Sequence, residues 1–158
     1  MGLGSNLSDP IEQVNRALCS LDELAQTRVV SSSQLYGSAP QGPQDQPDFL
    51  NAVCLLETQL TPMDLLQALQ GIEQAQGRVK NRHWGERLID LDILLFDDLT
   101  VSLPELTIPH IEIANRDFVL MPLFEIAPDA NVPNQGSVRS LISQLNTSYL
   151  HPIHLTSV

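Results

Sequence analysis

Two aspartates set two residues apart, Asp90 and Asp92, are the residues of this chain whose type and spacing most directly suggest chemistry. They fall in the run Leu88-Ile89-Asp90-Leu91-Asp92-Ile93-Leu94-Leu95-Phe96, where every other residue is apolar. In an extended strand, residues i and i+2 share one face about 7 Å apart, so both carboxylates point the same way. The apolar flanks predict a central, covered strand. Two like charges there are costly unless a cation or hydrogen bonds compensate. Magnesium suits such a pair, because it is a hard ion that takes carboxylate and phosphate oxygens together. The plain alternative is a sheet edge carrying two solvated aspartates.

The cations are unevenly placed. The net charge is −11, yet four of the eight Lys and Arg residues, Arg78, Lys80, Arg82 and Arg87, fall within ten positions. Arg87 precedes Asp90 by three residues, and Arg116 is a fifth cation further on. A carboxylate pair beside gathered positive charge suits phosphoryl transfer, which needs charge neutralisation and positioning more than covalent chemistry. A solvated charged loop, with Arg87 merely neutralising the aspartates, is the competing explanation. Trp84, the only tryptophan, lies inside the basic segment. Stacking on a flat ligand suits it there better than a core role. His110 alone reads as a surface loop residue, and Phe49 and Phe118 read as core by default.

These residues need elements to position them. Asp9-Pro10-Ile11-Glu12 predicts a helix start, with Ile11, Val14, Leu18 and Leu21 on one face. Thr61-Pro62-Met63-Asp64 predicts a second, with Leu65, Leu66, Leu69 and Ile72 on its apolar face and Gly77 as its C-cap. Strands are expected at the N-terminus up to Gly4, over 29–35, over 49–57 and over 88–96, the last turning at Asp97-Asp98 and returning over 99–103 as a hairpin. The stretch 37–48 holds three prolines and two glycines and predicts a loop long enough to be functional. Segments 116–126 and 137–145 predict helices, the first limited by Pro122. No role is assigned to 149–158. The order β-α-β-β-α-β-β-α-α in one domain, residues 1–158, predicts an α+β class fold. It is a ferredoxin-like α/β sandwich, mainly antiparallel sheet with helices on both faces.

Composition excludes several classes. Hydrophobic content of 42% with 17% charged residues is that of a globular chain. No apolar run approaches the roughly 20 residues of a membrane helix, and no signal-like segment opens the sequence, so a cytoplasmic protein is expected. The net charge of −11 argues against nucleic acid or an anionic membrane as a partner. Lys80 is the only lysine and follows no glycine loop, which rules out a P-loop. Gly2-Leu3-Gly4-Ser5-Asn6-Leu7 lacks the third glycine of a dinucleotide fingerprint. Cys19 and Cys54 lack metal-ligand spacing and read as buried free thiols.

The segment His83-Trp84-Gly85-Glu86-Arg87-Leu88-Ile89-Asp90-Leu91-Asp92-Ile93-Leu94 closely resembles the signature of the 6-hydroxymethyl-7,8-dihydropterin pyrophosphokinase family. Three further blocks resemble it in the right order: Gly4-Ser5-Asn6-Leu7; Gly42 through Asn51; and Pro109-His110 with Asn115-Arg116-Asp117-Phe118. The similarity runs from about Gly2 to Pro128. It implies transfer of diphosphate from ATP to the hydroxymethyl group of 6-hydroxymethyl-7,8-dihydropterin, with release of AMP, in folate biosynthesis. Asp90 and Asp92 would then hold two Mg2+ ions. Arg78, Lys80, Trp84, Arg87, His110 and Arg116 would bind ATP, with Gln70 and Glu73 meeting the nucleotide from the second helix. Arg78 and Arg87 would join the two aspartates in catalysis. The pterin would lie between Phe49 and Phe118, its edge met by Asn51, by Asp90, and by Gly4, Ser38, Ala39 and Gln41. A monomer with these two small-molecule substrates is implied.

Against the family pattern, the chain begins inside the first strand and the basic segment is one residue shorter. Glu86 stands where many relatives carry proline, and Ile111 where some carry tyrosine. A catalytically impaired paralogue and a small-ligand-binding ferredoxin-like module are the rival expectations. The latter would be indifferent to Asp90→Ala.

Overall fold

Capping fixes where the helices start. Asp9 accepts the Glu12 N–H at the head of α1 (Pro10–Asp22), and Thr61 accepts the Asp64 N–H at the head of α2 (Pro62–Ala75). Gly77 takes the positive φ of 91° just past the end of α2, a conformation that favours glycine. The structure is a computed structural model and describes residues 1–77 and 88–151.

The strands are β1 (Gly2–Ser5), β2 (Thr27–Ser32), β3 (Tyr36–Ser38), β4 (Phe49–Thr58), β5 (Asp90–Asp92) and, at the far end of the chain, β10 (Leu150–His151). They form one sheet in the order β10-β3-β4-β1-β5, and β2 pairs with the second half of β4. Every pairing is antiparallel. Two short ribbons, β6–β7 (Val101–Ser102 with Thr107–Ile108) and β8–β9 (Asn131–Val132 with Gly136–Ser137), stand apart from it. The remaining helices are α3 (Asp117–Ile126) and α4 (Val138–Ser143).

The sheet separates two apolar layers. Val14, Ala17 and Leu21 of α1 and Leu65, Leu69 and Ile72 of α2 pack with Leu3, Ala52, Cys54 and Leu91. Val119, Leu120 and Leu123 of α3 and Val138 and Leu141 of α4 pack on the other side with Val53 and Leu94. Alternate residues of β4 therefore serve opposite layers, as the two-residue period of a strand requires. This is the expected ferredoxin-like sandwich with helices on both faces.

Several local expectations are corrected. The strand expected over 88–96 is ordered as a ladder only at Asp90–Asp92. It ends the strand order instead of lying centrally, and pairs with β1 alone among the described residues. Its apolar continuation is buried for another reason: Ile93 enters one layer and Leu94 the other, without strand partners. Burial alone cannot distinguish those cases from sequence. Residues 99–103 do not return along this strand; Val101 and Ser102 pair with Ile108 and Thr107. Tyr36–Ser38, assigned partly to a loop, is a strand. Pro122 does not stop α3, which continues to Ile126. Ile11 is exposed.

Cys54 is buried as expected, but Cys19 is exposed. Cys19 lies two residues past Ala17, about 200° around the helix from the buried face. Burial pushes the Cys54 thiol above its ordinary pKa, and reactivity belongs to the thiolate. A thiol reagent at neutral pH should therefore label Cys19 in the native protein and reach Cys54 only after denaturation, as peptide mass mapping would show.

Candidate active site

Register builds one wall of a cleft. Gly4 lies opposite Asn51 of β4 on one side and Asp90 of β5 on the other. Gly2 likewise lies opposite Val53 and Asp92, and on β3 Ser38 lies opposite Phe49. Directly paired residues share a face, so Phe49, Asn51 and both aspartates project toward α3. Gly4 leaves space between them: a Cβ there would stand 3.4 Å from Asn51 Oδ1 and 3.9 Å from Phe49 Cδ1.

All the residues expected at the pterin line this cleft: Gly4, Asn51 and Asp90; Ser38, Ala39 and Gln41; Phe49 and Phe118. Asp92 and Arg116 line it as well. The Asn51 amide is oriented by its neighbours, since Nδ2 donates to the Tyr36 carbonyl (3.1 Å) and to Ser38 Oγ (2.8 Å). A carbonyl can only accept, which fixes the amide and turns Oδ1 toward Gly4 as an acceptor. Buried Asn6 anchors the loop that leads into β4, donating to Gln46 Oε1 (3.0 Å) and to the Pro47 carbonyl (2.9 Å).

The aspartate strand is held from behind. Glu73 of α2 is buried and accepts the Leu91 N–H at 3.0 Å, on the face away from the cleft. Gln70, also expected at the nucleotide, lies on the exposed side of α2. The His110 N–H donates to the Leu94 carbonyl (3.0 Å), and its Nδ1 accepts the Glu112 N–H (3.1 Å). Neutral His110 therefore carries its proton on Nε2, which sits 3.8 Å from Asp92 Oδ2. Burial, reinforced by Arg116, lowers the His110 pKa despite the opposing pull of Asp90 and Glu112.

Arg116 Nε donates to Gln41 Oε1 (2.9 Å), and its guanidinium lies 5.6 Å from the Phe118 ring centroid. Tyr149 meets the same ring edge-on, with centroids 5.7 Å apart and planes at 83°. Between Arg116 and Phe118, the buried Asp117 carboxylate binds the segment that carries Tyr149. Sequence reasoning gave no role to Asn6, Asp117 or Tyr149. The first two lie in family-like blocks, a usable signal, whereas nothing in the sequence marks Tyr149. Arg78, Lys80, Arg82, Trp84 and Arg87 lie outside the described residues.

A family model described as 7,8-dihydro-6-hydroxymethylpterin-pyrophosphokinase (HPPK) matches residues 1–128. The chain is 50% identical over 144 residues to the 2-amino-4-hydroxy-6-hydroxymethyldihydropteridine pyrophosphokinase of Haemophilus influenzae, spanning 91% of this chain and 90% of that protein. It is 48% identical over 143 residues to the Pseudomonas aeruginosa protein of the same name, spanning 90% of this chain and 88% of the other. The crystal structure of Plasmodium falciparum HPPK-DHPS wild type with pteroate matches at TM-score 0.72 and 16% identity, over 90% of this chain but only 41% of that one. This last likeness bears on the fold alone. The extent of the family match, and of the identity to two bacterial proteins along nearly their whole length, make this chain a member of the 7,8-dihydro-6-hydroxymethylpterin-pyrophosphokinase family.

Proposed function

We propose that this pyrophosphokinase transfers diphosphate from ATP to the hydroxymethyl oxygen of 6-hydroxymethyl-7,8-dihydropterin in folate biosynthesis. The observation that carries this reading is that an oriented amide, two phenyl rings and a carboxylate pair line a single cleft. A flat heterocycle rich in donors and acceptors would stack between Phe49 and Phe118 and donate to Asn51 Oδ1. The backbone of Gly4 and of residues 38–41 would meet the rest of its edge, with its hydroxymethyl arm at the Asp90 end. The arm's oxygen then bonds to the β-phosphorus as the bond from that phosphorus to the AMP oxygen breaks, and the hydroxyl proton is released.

Magnesium fits Asp90 and Asp92. Two carboxylates share one face of the cleft. A hard ion that takes carboxylate and phosphate oxygens together and keeps several waters suits such a pair. Asp90 and Asp92 would hold two such ions, whose chemistry when bound is to neutralise and orient the phosphate oxygens. Arg116 and His110 would contact ATP from the α3 side and Gln70 from the exposed side of α2, while Glu73, behind β5, would hold the strand that carries the two aspartates. Arg78, Lys80, Trp84 and Arg87 complete this assignment from outside the described residues. A cytoplasmic monomer formed of one domain over 1–158, with no nucleic acid or membrane partner, is the setting proposed. Among the described residues, no helix is long and apolar enough to cross a membrane.

The test follows AMP in a mixture of the protein, ATP, magnesium and 6-hydroxymethyl-7,8-dihydropterin. Pterin-dependent AMP release that EDTA abolishes is expected. Absence of AMP from folded protein that still binds the pterin would overturn the assignment of activity.

A further inference from the structure

One buried carboxylate beside the cleft has no place in the reaction just described. Asp117, the first residue of α3, is only 6% exposed, yet it does not line the cleft. Its Oδ2 accepts three donors from consecutive residues near the far end of the chain: Ser148 Oγ (3.3 Å), Tyr149 N–H (3.0 Å) and Leu150 N–H (3.1 Å). Its Oδ1 is buried with no hydrogen-bond partner among the described residues. Burying a carboxylate is costly, and these three bonds offset that penalty.

What those bonds hold is the wall expected at the pterin. The Tyr149 carbonyl accepts the Ala39 N–H (2.8 Å), and β10 pairs Leu150 with Ser38 and His151 with Gly37. The Tyr149 ring meets the edge of Phe118, the residue next to Asp117 itself. One carboxylate thus ties a strand that supports both the Ser38–Ala39 backbone and the Phe118 ring. Without that strand, β3 would be a three-residue edge held by β4 alone among the described residues.

We infer that Asp117 is a positioning residue: by strapping residues 148–151 against β3 and α3, it sets the geometry of the pterin wall and hence the affinity for the pterin. This rests on the reading of Phe118 and Ser38–Ala39 as pterin contacts. It predicts a selective effect, because the strap touches neither Asp90 nor Asp92.

The experiment measures KM for each substrate, kcat and melting temperature in Asp117→Asn, Tyr149→Leu and Phe118→Ala. Asparagine keeps the volume but loses the charge that three donors share. Asp117→Asn should raise the pterin KM about tenfold while the ATP KM stays within about twofold. Tyr149→Leu leaves the backbone bonds to Asp117 in place and should raise the pterin KM about fivefold; it carries the test if Asp117→Asn does not fold. A lowered melting temperature with both KM values unchanged would mean a structural role only, and overturn the inference. Phe118→Ala separates the two readings. A raised pterin KM there, with none in the strap variants, sinks the strap and leaves the site standing. No change in Phe118→Ala sinks both.

Discussion

Asp92→Ala is expected to lower diphosphate transfer by at least about 10³-fold in a protein that still unfolds cooperatively. Losing metal-assisted charge stabilisation removes several kcal/mol, and about 1.4 kcal/mol corresponds to each tenfold in rate. The fold should tolerate the change because Asp92 is not a core residue: its side chain is 35% exposed. The strand beneath it is held independently, by pairing with β1 and by the bond from the Leu91 N–H to Glu73. Asp90→Ala should give a loss of the same order, and the double variant little more, since two carboxylates serving one bound cluster act as a unit. The measurement is AMP release alongside a thermal melt. Turnover within tenfold of the parent, in folded Asp92→Ala, would remove the metal assignment.

Phe118→Ala is expected to raise the KM for the pterin by one to two orders of magnitude while changing that for ATP less than threefold. Stacking a heterocycle on an aromatic ring is worth about 1–3 kcal/mol by alanine substitution. Phe118 also packs against the α3–α4 layer, so part of any loss could come from loosened packing. Phe118→Leu distinguishes the two, because leucine restores apolar volume without a π face. If leucine recovers the melting temperature but not the pterin affinity, stacking is the cause. Equal changes in the two KM values would count against the sandwich.

Much of the site was legible in the chain because its residues are marked by chemistry out of place. Asp90 and Asp92 interrupt an apolar run, and that anomaly predicts a shared face whatever strand lies beside it. Both aspartates do line one cleft, as that expectation requires. The central position of the strand did not, because apolar flanks report burial and not hydrogen-bonding neighbours. Both helix starts were legible because capping is a local affair of three or four residues. Strands β3 and β10 were not. Each is short, and each depends on a partner distant in sequence, as Leu150 does on Ser38.

The class of layers, the two capped helices, the carboxylate pair and, through the resemblance, the chemistry could all be read from the chain alone. Those features depend on periodicity, on local hydrogen bonding and on residue type, all of which are written in short stretches of chain. Which residues face one another is a property of the folded chain. Folding placed Gly4 between Asn51 and Asp90, set Glu73 behind Leu91, turned the Asn51 amide, and brought Asp117 against Tyr149. Those contacts join residues up to 86 positions apart, as Gly4 and Asp90 are, so no local pattern can encode them. They are settled by the register of the sheet and by the need of buried polar groups for partners.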